Sequence, residues 1–458
     1  MRLPALISGI CLSALLAGCV ASPTAQVSKG LVDTRSVDQS LPAMQGFASG
    51  PPVRALRSNA EMVGDFLDLE FRMESGRALP VLTRFEGPIR VRMTGAVPAV
   101  AKTELGRVIK RFQQEAGLNV AIADGATANI TIDFRPRSAL RRAVPSAACF
   151  VVPNVSSFDE YMRARNSATV DWAQISRRDK VAIFVPSDTS PQEVRDCLHE
   201  ELAQAMGPLN DLFRLPDSVF NDDNFHAVLT GFDMLMLKVH YSPELRSGMN
   251  EAEVAARLPA ILARLNPGGQ GIGGGAKQLT PRSWISTVQS TFTGSSGARR
   301  PEAESLVSIA KAQGWTDGRL AFSYFARARA RTGSDMTGAM ADYAEAARIW
   351  RTQPGGAIHA AHVDMQLSAF ALSSGQFDKV IEMTARAIPV ARQHQNGSLI
   401  ASLMAMRAEA LDAVGRTAEA RSTRLDSLGW ARYAFGSDAQ VRARMADIAA
   451  LASRGVRG

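Results

Sequence analysis

The residues best suited to chemistry lie in one stretch of the sequence, CLHEELAQAMGPLND. Its oxygen-bearing candidates are Glu200, Glu201, Gln204, Asn210 and Asp211. Residues four apart project from the same face of a helix, so Glu200 and Gln204 could point at a single ion. Glu201, the next residue, would point at a water bound to that ion. Gly207 would let the chain leave the helix and bring a third ligand back from the following loop.

The spacing of these residues resembles the metzincin signature HExxHxxGxxH, which is followed by a Met-turn. In this resemblance Glu200 and Gln204 stand at the first two His, and Glu201 stands at the general-base Glu. Asn210, with Asp211 beside it, stands at the third ligand position. The resemblance implies a metalloprotease-like domain whose zinc ligands have been replaced.

The resemblance continues in SVFNDDNFHAVLTGFDMLMLKVHY, from Ser218 to Tyr241, which is similar to a Met-turn segment followed by the last helix. Phe220 takes roughly the place of the Met-turn Met. The run from about residue 58 to 266 also resembles an uncharacterised bacterial family of predicted lipoproteins with a zincin-like domain. That family carries Glu-Glu-x-x-Gln-x-x-Gly-x-x-Asn-Asp at this point.

The donor set argues against zinc catalysis. Zinc prefers His nitrogen and Cys sulfur, whereas these side chains offer only oxygen, which suits Ca²⁺ or Mg²⁺ better. Without a strongly acidic ion no bound water is activated, and Glu201 has nothing to deprotonate. We expect no resident cofactor, with zinc or another divalent ion as the alternative. The favoured interpretation is a hydrogen-bond network joining Glu200, Gln204, Asn210 and Asp211 to the turn at residues 221–224.

The first residues, MRLPALISGICLSALLAGC, have the pattern of a signal peptide. Leu16 to Cys19 resembles a bacterial lipobox, which implies lipidation of Cys19. Val20 is not the Asp that would resemble an inner-membrane retention signal, so the outer membrane is expected. We therefore predict a signal peptide over residues 1–18 and a flexible Ser- and Pro-containing tether over residues 19–54.

Once Cys11 leaves with the signal peptide and Cys19 carries lipid, only Cys149 and Cys197 remain. In an oxidising periplasm two leftover thiols most simply form one disulfide. The alternative is a pair of buried free thiols.

Hydrophobic periodicity predicts an α+β domain over residues 55–265, and the resemblance implies that this domain has a metzincin-like mixed sheet with packed helices. Strands are expected near residues 88–93, 119–123, 129–134, 148–152 and 180–186. Helices are expected near residues 58–74, 100–115, 190–206, 229–241 and 252–265. This order of strand, helix, strands and helix is that of the N-terminal half of a zincin.

A Gly-rich linker with one short helix is predicted over residues 266–300, followed by an all-α region over residues 301–458. That region is rich in Ala, and its turn glycines Gly333, Gly375 and Gly415 recur at about forty residues. The recurrence resembles tetratricopeptide-type helix pairs. A helical bundle without repeats is the alternative.

The chain has 458 residues and a formal charge of +8, spread over several Arg clusters. It contains no nucleophile elbow, phosphate loop or dinucleotide fingerprint, and no aromatic stripe suggests nucleic-acid binding. We expect a periplasm-facing lipoprotein that binds an envelope protein or peptide and is attached to the membrane by its N-terminal lipid. The alternatives are an active metallopeptidase with Glu201 as its base, and a scaffold that maintains the envelope.

Overall fold

The computed structural model describes residues 41–48, 55, 57–123, 125, 127–145, 147–275 and 277–455. The predicted signal peptide, the lipidation site Cys19 and residues 20–40 of the predicted tether lie outside these residues. The protein has an α+β part followed by an all-helical part, which confirms the predicted fold class.

The first part contains a five-stranded sheet with helices packed against it. Its strands are β1 (Ile89–Gly95), β2 (Val120–Ile122), β3 (Ile130–Arg135), β4 (Phe150–Pro153) and β5 (Val181–Pro186). Its helices are α1 (Asn59–Glu70), α2 (Ala101–Arg111), α3 (Arg137–Ala143), α4 (Phe158–Ala164), α5 (Pro191–Met206), α6 (Gly231–His240), α7 (Glu251–Ala255) and α8 (Leu258–Leu265). All five strands and the five longer helices fall where the sequence predicts them.

The strand order is β2-β1-β3-β5-β4, with β4 antiparallel to β5 and the other pairs parallel. All six residues of β5 are buried, as expected for a strand covered on both faces. A disulfide joins Cys149, just before β4, to Cys197 in α5, with their Cα atoms 6.0 Å apart. The predicted pairing is therefore confirmed, and it fixes an edge of the sheet to α5.

Three local features differ from the sequence prediction. Helices α3 and α4 lie in segments for which no element was predicted, because seven residues are too few for a clear apolar period. The helix expected over residues 252–265 is divided in two near Arg257, and Pro259 lies in the first turn of α8. Helix α2 continues into a π-helical turn, Phe112–Ala116, before Gly117 ends it with a φ of 72°.

The second part consists of helices only. They are α9 (Arg282–Thr293), α10 (Ser296–Ala312), α11 (Gly318–Arg331), α12 (Met336–Thr352), α13 (Ala357–Ser373), α14 (Phe377–Gln393), α15 (Gly397–Ala413), α16 (Thr417–Phe435) and α17 (Asp438–Gly455). Helices α11 to α16 form three successive pairs, each joined by a turn that contains one of the predicted glycines. Gly333, Gly375 and Gly415 have φ values of 90°, 71° and 80°, a conformation that only glycine adopts easily. The region is thus repeat-like, as predicted.

The helical part folds back onto the first part. Helix α16 packs against α5, and the backbone N–H of Gly397, at the start of α15, donates to Gln192 Oε1 at 2.9 Å. Residues 41–48, part of the predicted tether, lie along α16, where Phe47 is buried against Trp430 at a ring distance of 4.6 Å. Among the helices of the described residues, none combines the length and apolarity needed to cross a bilayer.

Candidate functional site

Helix α5 carries the candidate residues, and polar contacts hold both of its ends. Ser190 accepts a backbone N–H of the first turn at 3.2 Å, and Pro191 occupies the position that proline favours at a helix start. At the other end the buried Arg178 donates to the carbonyl oxygens of Gln204, at 2.6 Å, and Gly207. A cation at this end also interacts favourably with the helix dipole.

The chain leaves α5 in close contact with α6. A Cβ atom at Gly207 would lie 3.2 Å from Leu237 Cδ2 and 3.5 Å from Glu70 Oε1. A larger residue there would require the Leu237 side chain to shift by a few tenths of an ångström. Tyr241, which follows α6, donates its hydroxyl to the carbonyl oxygen of Met206 at 2.9 Å. The last predicted helix therefore fixes the point at which α5 ends.

The predicted site residues separate into two groups. Glu200 is partly buried and lines a cavity, and Glu201 is only 4% exposed behind it. Burial, and then the charges of Glu74, Glu200, Asp222 and Glu201, raise the pKa of the Asp211 carboxyl well above its usual range, so Asp211 belongs to the same acidic region. Asn210 does not join them, since its side-chain amide donates to the carbonyl oxygen of Asp68 at 2.9 Å.

Buried carboxyl groups dominate the electrostatics of this site. Burial, together with the charge of Glu74, raises the pKa of Glu200 to about 7. Burial and then the charge of Glu200 raise the pKa of Glu201 well above its usual range. Burial, and then the charge of Glu74, also raise the pKa values of Asp211 and Asp222 well above the usual range of an aspartate. Four carboxyl groups thus favour the neutral form in one small region.

Hydrogen bonds of Asn221 and Asp223 hold the turn at residues 221–224. Asn221 donates to the carbonyl oxygen of Leu215 at 2.6 Å and to Asp223 Oδ2 at 2.8 Å. Asp223 also accepts the backbone N–H of Phe225 through Oδ1 at 3.2 Å.

Asp233 organises the loop that precedes α6, a role the sequence did not reveal. Its carboxylate accepts the hydroxyl of Ser218 at 2.5 Å and the backbone N–H groups of Val219 at 3.2 Å and Thr230 at 2.7 Å. Burial raises its pKa to about 6. The pairing with Thr230 is a capping box, whose sequence signal, a Thr followed three residues later by an acidic side chain, could have been noticed. Phe220, at the Met-turn position, is fully buried in the first core.

The same loop reaches into the core of the helical part. Phe225 is 1% exposed, and its ring lies 5.3 Å from Phe325, 5.5 Å from Trp350, 4.8 Å from His359 and 4.7 Å from His362. Such spacings are typical of stacked and edge-on aromatic pairs. The two parts therefore share packed side chains at the candidate site.

Four histidines gather around this contact. The ring of His226 lies 5.6 Å from that of His359 and 5.4 Å from that of His394, and His359 Nε2 lies 2.8 Å from Asp223 Oδ2. Burial, with the neighbouring imidazoles, lowers the pKa of His226 well below its usual range, that of His362 to about 3 and that of His394 to about 4. No local sequence motif links these residues, because His359, His362 and His394 lie more than 130 positions from His226.

A cavity of about 240 Å³ lies between α5, this loop and the helical part; we call it the cleft cavity. The carboxyl groups of Glu193, Asp196 and Glu200 line one wall, at the three- and four-residue spacings that share a helix face. The opposite wall comes from α11, α13, α15 with the residue before it, and α16, and it mixes apolar with polar side chains. Its apolar members are Phe325, Met365, Leu399, Ala434 and Phe435.

Zinc does not fit this donor set. Over the described residues, no group of three or more His, Cys, Asp or Glu side chains is arranged to hold a metal ion. The carboxyl groups at the cleft favour protonation, whereas a metal ligand must be deprotonated. Asn210, the third ligand implied by the resemblance, is bonded elsewhere. No catalytic step can therefore be derived through zinc here.

Comparison with known proteins finds a match to a family model over the first part of the chain. No curated protein matches the chain. No solved structure matches it either. Residues 59–260, which hold the sheet, α5 and α6, match the family model described as "Protein of unknown function (DUF2927)".

Proposed function

We propose that this protein is a periplasm-facing, lipid-anchored binding protein built on a degenerate metalloprotease-like domain that does not catalyse hydrolysis. The observation that carries this proposal is the cleft cavity. One wall is the metzincin-like helix α5, on which Glu200 stands where the first zinc-binding His would be, and the other wall is formed by the helical repeats. A cleft built jointly by these two parts is suited to holding a ligand rather than cutting it.

The order of elements supports the likeness to a zincin domain. A strand, a helix, further strands and then α5 precede the loop and α6, as the resemblance predicts. Gly207 and Tyr241 both maintain the turn that follows α5, which is where the resemblance places the return of a third ligand. The scaffold is kept, while the side chains that would bind zinc are replaced by oxygen donors, of which the carboxyl groups of Glu200 and Asp211 have raised pKa values.

The proposed location rests on two observations. The sequence begins with a signal-peptide pattern that ends at the lipobox-like Cys19. The Cys149–Cys197 disulfide suits an oxidising compartment such as the periplasm. Labelled palmitate should enter the wild-type protein and not Cys19→Ala, and fractionation should place the wild type in the outer membrane. Equal labelling of both proteins would contradict the lipid anchor.

The test of the non-catalytic role is elemental analysis of full-length protein purified without a metal-affinity tag, combined with an assay on a peptide library. We expect less than 0.1 equivalents of zinc, and no cleavage that distinguishes the wild type from Glu201→Gln. Asp447→Asn, an exposed acidic site on α17, is the matched control. Stoichiometric zinc with cleavage that Glu201→Gln abolishes and Asp447→Asn preserves would establish a metallopeptidase instead.

A further inference from the structure

Residues 41–48 form a segment without helix or strand that lies on α16; we call this segment the strap. The backbone N–H of Gln45 donates to the carbonyl oxygen of Gly429 at 3.0 Å. Arg432, about one turn further along α16, donates to the carbonyl oxygen of Pro42 at 2.8 Å. The backbone of the strap is therefore bonded to α16 at two points, although the sequence predicts a flexible tether here.

Phe47 anchors the strap to both parts of the protein. It is the only buried residue of the strap, and its ring lies 4.6 Å from that of Trp430 and 5.8 Å from that of Tyr433, both on α16. The guanidinium of Arg195, on α5, lies 5.0 Å from the centre of the same ring. Edge-on aromatic pairs and cation–π contacts both stabilise such an arrangement. A single side chain of the strap thus contacts the first part and the helical part.

The surface of α16 under the strap leaves room for a backbone. Gly429 is buried within the helix, and a Cβ atom there would lie 2.8 Å from Gln45 Cγ and 3.1 Å from the carbonyl oxygen of Ala43. Glycine inside a helix is less favourable than alanine, because it loses more conformational freedom on folding. The close approach of the strap is a physical reason for glycine at this position.

Few contacts hold the strap in place. Its residues other than Phe47 are exposed or half-buried, and Met44 is 47% exposed. Segments with few buried apolar contacts and solvent-exposed hydrogen bonds open locally at a lower free energy than the core of a protein. The strap can therefore leave α16 while the rest of the protein stays folded.

The strap lies behind the two walls of the cleft cavity. Asp196 on α5 and Ala434 on α16 line the cavity. Their neighbours in sequence, Arg195 and Tyr433, contact Phe47 instead. Adjacent residues of a helix project roughly 100° apart, so one face of each helix bounds the cavity while another face meets the strap. Phe47 thus joins two helices on which the cavity depends.

We propose that residues 41–48 are a releasable strap that clamps α16 to α5 and keeps the cleft cavity narrow, so that release of Phe47 lets the two walls move apart. This inference rests on the proposed binding function and deepens it by naming what controls access to the cleft. The occupant of this surface of α16 is the chain's own predicted tether rather than a second protein.

The test is hydrogen exchange of the full-length protein, followed by mass spectrometry. Phe47→Ala should speed exchange in α5 and in residues 428–435 of α16 about tenfold, because loss of the anchor makes opening of the clamp more frequent. Diethylpyrocarbonate, which modifies accessible neutral imidazoles, should react faster with His226 and His362, which line the cavity. Met44→Ala, a change of an exposed side chain in the same strap, should alter neither rate. Equal rates in the wild type and both variants would overturn the proposal.

A synthetic peptide with the sequence of residues 41–48, LPAMQGFA, makes the assignment specific. It should bind the Phe47→Ala protein about tenfold more tightly than the wild type, whose own strap competes for the same surface, and it should restore slow exchange. The same peptide with Ala in place of its Phe should do neither. If the Phe47→Ala protein does not bind LPAMQGFA, the strap is not a releasable ligand of α16.

Gly429→Ala is an independent variant that leaves Phe47 in place. It favours the helix but puts a Cβ atom against the strap, so it should speed exchange as Phe47→Ala does, and the peptide should not reverse the change. Exchange as slow as in the wild type would contradict the clamp. Zinc analysis and the peptide-library assay separate the two proposals: a metal-free, inactive protein whose strap variants behave like the wild type contradicts only this inference.

Discussion

At the scale of single residues, Glu200 combines a location on the cleft cavity with a displaced pKa. Folding raises this pKa from 4.5 to about 7, so the folded protein takes up a proton between these two pH values. The ionised carboxylate consequently costs stability above pH 7 and costs almost nothing below pH 4.5. The site is thus held in an unfavourable state at neutral pH, as is common where a protein binds a ligand.

Glu200→Gln should therefore stabilise the ligand-free protein at high pH. We expect a gain in the free energy of unfolding on the order of 2 kcal/mol at pH 8, shrinking to less than half of that at pH 5. Urea unfolding followed by circular dichroism at both pH values would measure it. Asp447→Asn should change stability by less than about 0.5 kcal/mol at either pH. A loss of stability at pH 8 would mean that Glu200 has a favourable partner in the folded protein.

Arg178 is the second residue whose contribution to stability can be measured separately. It is buried, donates to Gln204 and Gly207 at the end of α5, and lies 4.9 Å from the ring centroid of Trp172. Arg178→Met keeps the length but removes both charged hydrogen bonds, which should cost roughly 2–4 kcal/mol. Arg177→Ala, next to it and with an exposed ion pair to Asp179, should cost less than about 1 kcal/mol. Equal losses for the two variants would show that Arg178 does not hold the helix end.

At the scale of elements, the disulfide connects the edge of the sheet to α5. Cys149 and Cys197 enclose a loop of 48 residues, which the chain-entropy model converts to about 4 kcal/mol. The double variant C149S/C197S should lose about that much in urea unfolding. Reductant should lower the urea midpoint of the wild type and leave the double variant unchanged. If reductant does not change the urea midpoint of the wild type, the disulfide is not formed.

Helices and strands could be predicted from the sequence where a short stretch of residues determines them. The alternation of Ile89 and Val91 marks β1, and Gly117 and Gly375 mark the ends of helices through their positive φ values. Only one of the two walls of the cleft cavity could be predicted from the sequence. Its α5 wall follows from helical spacing, but its other wall depends on contacts such as Phe225 with Trp350, across 125 positions, for which a single sequence carries no signal.

At the scale of the whole molecule, Phe225 joins the two parts. It is buried among aromatic rings of α11, α12 and α13, so its loss would leave a cavity at their shared surface. Phe225→Ala should lower the free energy of unfolding by roughly 3–5 kcal/mol. Phe377→Ala, half-buried on α14, should cost clearly less. A similar, small loss for both in urea unfolding would show that the aromatic contact is not closely packed.

The histidines at this shared surface make the stability of the folded protein fall as the pH falls. The cleft carboxyl groups have the opposite effect on stability. Burial beside other imidazoles lowers the pKa of His362 from 6.5 to about 3. The unfolded chain therefore binds more protons between these values, and the stability due to neutral His362 is present above pH 6.5 and lost as pH falls toward 3. The carboxyl groups, whose pKa values are raised, act in the other direction, so total stability alone would not separate the two.

A comparison of the wild type with one variant separates the contribution of His362 from that of the carboxyl groups. His362→Gln removes the titrating group and retains a side chain of similar length that can bond to Asn396, which lies 3.4 Å from His362 Nε2 in the wild type. Between pH 7.5 and pH 4.5 the wild type should lose about 2 kcal/mol more than this variant in urea unfolding. Asp447→Asn should lose the same amount as the wild type. Parallel pH profiles for the wild type and His362→Gln would show that His362 is hydrated in the folded protein, because only a solvent-exposed imidazole keeps its ordinary pKa.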